Sequence, residues 1–317
     1  MLHSISHMGP KSITRLFNEL PSTSLDSIDL EALSVWNLAA DTLQRKYRLH
    51  PEAASTIAYR KSELMESGQK LSDSVRQLGI RVMTILDSDY PAYLKEFGVE
   101  PPPIIYAYGN LGLLREKKFA VVSSNGTSNQ GIEVLREFAG TLCDEEMIPV
   151  TSHNTVPYQV SGLAAKSRNA PVILVLDRGI LSAFPNGLRF EPIAQARIWD
   201  MRFDFEKDLV LSRFRLFDPW IGANGIERDR MVFGLSDVVV AVEVRAGGVM
   251  EAECLRAYRN GREVYVYIPD SQPAADGNNA LLGQGCSPIP GSSARSLLST
   301  LDVLQAPVEG LFADSSD

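Results

Sequence analysis

A chain of 317 residues with 44% apolar side chains is long enough for one large α/β domain and a smaller partner around a substantial core. Its formal net charge of −8 argues against indiscriminate coating of nucleic acid, although a local basic pocket survives in an acidic protein. Three cysteines, Cys143, Cys254 and Cys286, without a CxxC pair, and only four histidines argue against a disulfide scaffold or a metal centre.

The first residues contain no continuous apolar segment, and no later run reaches the roughly 18 residues that cross a bilayer. A cytoplasmic protein without membrane contact is expected. Residues from about 11 to 80 read as helical. "DLEALSVWNLAADTLQRKY" repeats apolar residues at spacings of three and four, and Pro51 opens "PEAASTIAYRKSELMESGQKL" at a position that suits a first helical turn. Residues 1–83 are therefore expected to form a small helical module. A short strand over "RVMTIL", a turn at Asp87 to Asp89 and a rigid Pro101-Pro102-Pro103 step follow.

From Lys118 the pattern alternates between strand and helix. "KFAVVSSNGTSNQGIEVLREFAGTLCDEEMIPVTS" runs from an apolar strand through a polar loop to a helix with Ile132, Leu135, Phe138, Ala139 and Leu142 on one face, then to a second strand. "APVILVL" and "SDVVVAVEV" are continuous apolar runs of the kind found in parallel strands buried on both faces, and "REVYVYIP" closes the series. Residues 84–270 are expected to form an α/β, doubly wound, mostly parallel, extended Rossmann-like sheet, preceded by the helical module. Residues 271–317, rich in Gly, Pro, Ser and Asn at their start, read as a linker and a weakly ordered tail.

Ligands of such sheets bind outside the carboxyl ends of the strands, where loops lead into helix N-termini. Four loops qualify. Ser123, Ser124, Asn125 and Gly126 offer hydroxyls and backbone N–H groups to a phosphate, though the same residues suit a plain helix cap. Ser152, His153 and Asn154 follow the second strand, where His153 suits either a ligand contact or an ordinary loop position. Arg178 and Gly179 follow the third, as a phosphate grip or a surface arginine beside a turn. Arg228 and Arg230 precede "SDVVVAVEV", and Gly247-Gly248 follow it before a helix expected from Glu251 to Asn260. Two glycines let a backbone approach a ligand closely, and the arginines would face them across one anion cradle, though a helix over "RDRMVFGLSD" with solvated arginines and a plain glycine turn suits the same residues.

"ILDSDYPAYLKEF…PPPIIYAYGNLGLL", "KKFAVVSSNGTSNQG" and "ERDRMVFGLSDVVVAVEVRAGGVMEAECLRAYRNGREVYVYIPD" together resemble the DNA-processing protein A (DprA/Smf) family, in the same order of elements, over about residues 11 to 270. The resemblance implies a Rossmann-like domain that binds single-stranded DNA, forms a homodimer and loads a RecA-type recombinase during natural transformation (competence) and DNA recombination. It places Ser123-Ser124-Asn125 at the family's Gly-Ser-Arg turn. "RDRMVFGLSD" falls on its Arg-Asn-Arg segment with Arg228 and Arg230 retained, and Gly247-Gly248 fall on its Ser-Gly-Ser step. Asn125 replaces the turn arginine, and "SHNTVPYQ" replaces the family's glycine-rich loop, with His153, Pro157 and Gln159 where glycine, glycine and aspartate are usual.

Two other functions fit the same scaffold. One is a sensor of a nucleotide or nucleotide derivative. The other is an enzyme, since Lonely Guy phosphoribohydrolases also carry an arginine before a strand and a Gly-Gly turn after it. In that family's "GGxGTxxE" the catalytic glutamate position falls on Cys254 here, so no catalytic constellation is in register. A protein without a catalytic step and without a cofactor is expected.

Overall fold

The computed structural model describes residues 2–18, 34–188, 203–270, 273–289 and 293–305. The N-terminal part holds helices α1 (Pro10–Phe17), α2 (Ala40–Tyr47), α3 (Pro51–Tyr59) and α4 (Lys61–Gln77). Pro51 stands in the first turn of α3, and the His50 ring caps it by accepting from the Glu52 N–H at 3.3 Å. The run expected as one helix from Pro51 is divided at Arg60. The helix expected upstream is, among its described residues, a 3-10 turn at Ser34–Asn37 followed by α2; residues 29–33 lie outside the described residues.

Among the described residues, nine strands form one sheet: β1 (Ile80–Thr84), β2 (Ile104–Gly109), β3 (Lys118–Val122), β4 (Ile148–Thr151), β5 (Ile173–Val175), β6 (Leu209–Ser212), β7 (Val238–Ala241), β8 (Glu263–Val266) and β9 (Ser287–Pro288). Their order is β1-β2-β6-β5-β4-β3-β7-β8-β9. The two pairs involving β2 are antiparallel and the rest are parallel. The chain steps outward from β3 to β6, then returns to β7 on the other side of β3. This is the doubly wound α/β topology.

Between and after the strands run α5 (Ala92–Glu96), α6 (Asn129–Asp144), α7 (Val156–Lys166), α8 (Ile180–Ala183), α9 (Asn224–Leu235), α10 (Val249–Arg259), α11 (Asp276–Gly283) and α12 (Ala294–Gln305). Strand side chains alternate between two cores. Phe119 and Val121 join Leu135 and Phe138 of α6 on one face, while Ala120 and Val122 join Phe233 of α9 and Cys254 of α10 on the other. Burial on both faces explains the unbroken apolar runs.

Three expectations about boundaries change. The division after residue 83 falls inside β1, and Ile5, Met8 and Ile57 share a buried cluster with Phe119 and Phe138 of the sheet layer. β8 does not end the sheet, because β9 pairs with it. The segment read as linker and weakly ordered tail carries α11, β9 and α12 among its described residues; residues 306–317 lie outside them. Its Asn and Gly are there for packing. Buried Asn278 accepts from Val244 N and donates to Val242 O and Tyr267 O at 2.7–2.9 Å, stapling α11 across the ends of β7 and β8. A side chain at Gly277 would meet the Val244 carbonyl. Leu297 and Leu301 of α12 are buried in the same core as Phe138 of α6.

Candidate nucleic-acid interface

β3 and β7 lie side by side where the winding reverses, and crevices at such switch points hold the ligands of α/β sheets. A cleft of about 380 Å³ opens there. Ser123–Asn125 after β3, Asn154 and Thr155 after β4, the Trp220–Arg228 stretch, and Arg245 with Gly248–Met250 after β7 line it.

Arg228 forms its floor and is buried. Its Nε lies 2.8 Å from Asp229 Oδ1, its Nη1 donates to Asn154 Oδ1, and its guanidinium sits 4.7 Å from the Tyr158 ring centroid. The Tyr158 hydroxyl donates to Asp229 Oδ1 at 2.8 Å, and Asn154 donates onward to Asp177. Burial pushes the Asp229 carboxyl above the ordinary carboxylate range, against the pull of Arg228. Burial likewise pushes the Tyr158 hydroxyl well up. The arginine is thus committed to a closed internal network, and removing it would strand a buried acid rather than merely empty a ligand site.

Arg230 does not join the cradle. Two residues along a helix are about 200° apart, so Arg230 leaves α9 on the opposite side. There it pairs with Glu227 at 2.5 Å and faces Glu253 at 3.5 Å. It lines a separate cavity of about 820 Å³ with Arg213, Arg215 and Lys11. Of the two arginines expected to face the Gly-Gly turn, Arg228 lines the same cleft as Gly248 and Arg230 lines the other cavity.

At the switch point the protein's own carboxylates sit at the N-terminus of α6 and just ahead of that of α10. Ser128, the N-cap of α6, gives its N–H and its hydroxyl to Glu243 at 2.8 and 2.5 Å, and Glu243 follows β7. Ser123 and Ser124 are tied to the same strand end: the Ser123 hydroxyl and the Ser124 N–H both donate to Glu243 O at 2.9 Å, and the Arg245 N–H donates to the Ser124 hydroxyl. Gly126 (φ 86) turns this loop and borders a shallower depression with Glu243 and Arg245. At α10 the Gly247 N–H donates to Glu251 at 2.6 Å, and Gly247 supplies the positive φ of 68 that the turn requires. The helix begins at Val249, two residues earlier than expected, with Gly248 as its N-cap.

The remaining candidates stand beside the cleft, not on its wall. Ser152 is fully buried, and among the described residues its hydroxyl has no hydrogen-bond partner. His153 is pushed down to about 4 by burial, which outweighs the opposing field of Asp177. Arg178 pairs with Asp177 at 2.9 Å. Gly179 is a packing glycine, since a Cβ there would collide with the carbonyl oxygens of Arg215 and Leu216. The enzyme register offers no free carboxylate from α10: Cys254 is buried, Glu253 holds Arg256 at 3.0 Å, and Glu251 caps the helix. Away from the cleft, ligand-type atoms of His7, His50 and Glu52 lie within 4.8 Å of one another on the surface, where His7 pairs with Glu52 at 2.7 Å and stacks on His50.

The DNA recombination-mediator protein A family model matches residues 81–302, a span that contains every element around the cleft. The chain belongs to this family. It is 30% identical over 224 residues to the DNA processing protein DprA of Streptococcus pneumoniae, covering 70% of this chain and 72% of that protein. The X-ray structure of the S. pneumoniae protein has the same fold, with a TM-score of 0.70 at 22% identity over 94% of this chain and 95% of that one. The DNA processing protein A of Helicobacter pylori, described for its single-stranded DNA binding mode, aligns with a TM-score of 0.55 at 17% identity over 71% and 96%.

Within this DprA-type fold, Asn154 is the residue of the Ser152-His153-Asn154 loop that reaches the cleft, and sequence reasoning missed Tyr158, Asp229, Glu243, Trp220 and Arg245. Asp229 carried a signal, as an acid between two arginines. Trp220 carried none: that it stands 53% exposed beside Phe217 at 72% and Ile221 at 54% is visible only in the structure. Among the described residues no helix is long and apolar enough to cross a membrane.

Proposed function

We propose that this chain binds single-stranded DNA at the cleft between the ends of β3 and β7 and acts as a recombination mediator without a catalytic step. Membership of the DNA recombination-mediator protein A family over residues 81–302 carries the reading, because that span includes the whole cleft. The H. pylori relative has a single-stranded DNA binding mode, and this supports the same ligand here. On this reading the protein works in the cytoplasm as a homodimer and delivers the strand to a RecA-type recombinase. No cofactor takes part.

Fluorescence anisotropy with labelled single-stranded and duplex oligonucleotides of equal length tests the core of it. Preference for the single strand is expected. Absence of binding at low salt would overturn it. A nucleotide sensor is the second reading, favoured by a cleft whose 380 Å³ suits one nucleotide. Saturable binding of a free nucleotide with no oligonucleotide binding would establish that alternative.

A further inference from the structure

The cleft combines features that an electrostatic phosphate site would not have. Its lining cations are Arg228 and Arg245, opposed by Asp229. Arg228 is held by Asp229, Asn154 and Tyr158, so Arg245 is the one exposed cation on the wall without an ion pair among the described residues. The α6 N-terminus, which would receive a phosphate after β3, already holds Glu243, and Glu251 holds the Gly247 N–H just ahead of α10. Around the mouth, in contrast, apolar side chains stand in water: Val156 at 51% exposure, Trp220 at 53%, Ile226 at 40% and Val249 at 40%. Trp220, Ile226 and Val249 line the cleft itself. Thr155 and Asn125 add a hydroxyl and a carboxamide that make no side-chain hydrogen bond among the described residues. Each of these groups both donates and accepts, so they meet the edge of any base.

We propose that this cleft takes a nucleobase of the bound strand, stacked on Trp220 and met at its edge by Thr155 and Asn125, with phosphates contributing little at this point. The inference rests on the single-stranded DNA reading above and changes its energetics. Stacking on an aromatic face tolerates any sequence and is closed to a duplex whose bases are already paired; as a contact between uncharged groups it releases no counterions, so it adds nothing to the salt slope. A purely phosphate-driven site behaves in the opposite way: log affinity for a single strand falls by about 0.7 per log unit of salt for each phosphate contacted.

The experiment titrates the full chain and its Trp220→Ala and Trp220→Phe variants with an oligo-dT strand and with an abasic strand of equal length and charge. Trp220 is exposed, so both variants are expected to fold, which circular dichroism and thermal melting check. Trp220→Ala is expected to weaken oligo-dT binding at least about tenfold, Trp220→Phe to restore most of it, and the abasic strand to bind the unaltered chain as poorly as oligo-dT binds Trp220→Ala. Tryptophan emission should be quenched by oligo-dT in the unaltered chain and not in Trp220→Phe. The salt dependence should have a slope of about −1 or shallower.

Unchanged affinity of folded Trp220→Ala, equal binding of the abasic strand, or a slope steeper than about −2 would overturn the base site while leaving single-stranded DNA binding in place. Displacement of the strand by free dTMP at equal base concentration would overturn the strand as the source of the base. No binding of either strand by the unaltered chain would overturn the DNA reading itself.

Discussion

Arg228 shows how a charge that reads as ligand-facing becomes structural. Its guanidinium lies beside the Asp229 carboxylate and over the Tyr158 ring, with 4% exposure, so its removal leaves an acid uncompensated in the interior. Arg228→Ala is expected to cost about 3 kcal/mol or more in urea unfolding, and Arg228→Met with Asp229→Asn to recover much of that loss. DNA-binding measurements on the single variant would then report stability as well as affinity. Glu243 makes the converse case. Its carboxylate occupies the N-terminus of α6, where an arriving phosphate would otherwise sit. Glu243→Ala is expected to lower stability by about 1 kcal/mol through the lost cap, and to raise single-strand affinity with a steeper salt dependence. Paired unfolding and anisotropy titrations check both halves.

At the scale of elements, the strands were legible because burial on both faces leaves continuous apolar runs, as in "VVVA" of β7 and "KFAVV" of β3. Helix α6 was legible from its apolar face. The orientation of α9 was not: Arg228 and Arg230 are neighbours in sequence but leave the helix about 200° apart, and nothing nearby in the sequence says which one meets the cleft. Gly179 illustrates a second limit. A glycine after a strand suits a ligand turn, yet this one lets α8 lie against the Arg215–Leu216 backbone, with Leu181 N donating to Leu216 O at 2.9 Å. Gly179→Ala is expected to destabilise the fold by about 2 kcal/mol, read from the urea midpoint at constant slope.

Across the whole molecule, the N-terminal residues are fastened to the antiparallel edge of the sheet. Arg215 donates to Ile5 O and Met8 O at 3.2 Å, and His3 Nδ1 lies 3.1 Å from the Tyr106 hydroxyl. Burial, helped by Arg215, pushes the His3 imidazole down to about 4. An unfolded histidine takes up its proton near pH 6.5, so between pH 6.5 and 4 the unfolded chain binds the extra proton and stability falls as pH falls. His3 alone should account for a loss of about 2 kcal/mol between pH 7 and pH 5. Unfolding at the two pH values checks this, and a His3→Gln variant should flatten the dependence.

Composition and periodicity by themselves determined the class of fold, the strands around the switch point and the loops where a ligand would enter, because apolar spacing encodes which face of an element is buried. The resemblance was carried by the residues of particular segments, such as "KKFAVVSSNGTSNQG" across β3 and the start of α6 and "ERDRMVFGLSDVVVAVEVRAGG" across α9 and β7, in that order. Only the tertiary structure decided what those loops can do. Glu243 meets Ser128 across 115 residues, Asn154 meets Arg228 across 74, and Asn278 meets Val242 across 36. Such pairings depend on which strand lies beside which, and no local pattern records that. The same cause left Trp220 unnoticed, since an aromatic in an irregular segment acquires meaning only from the cleft it borders.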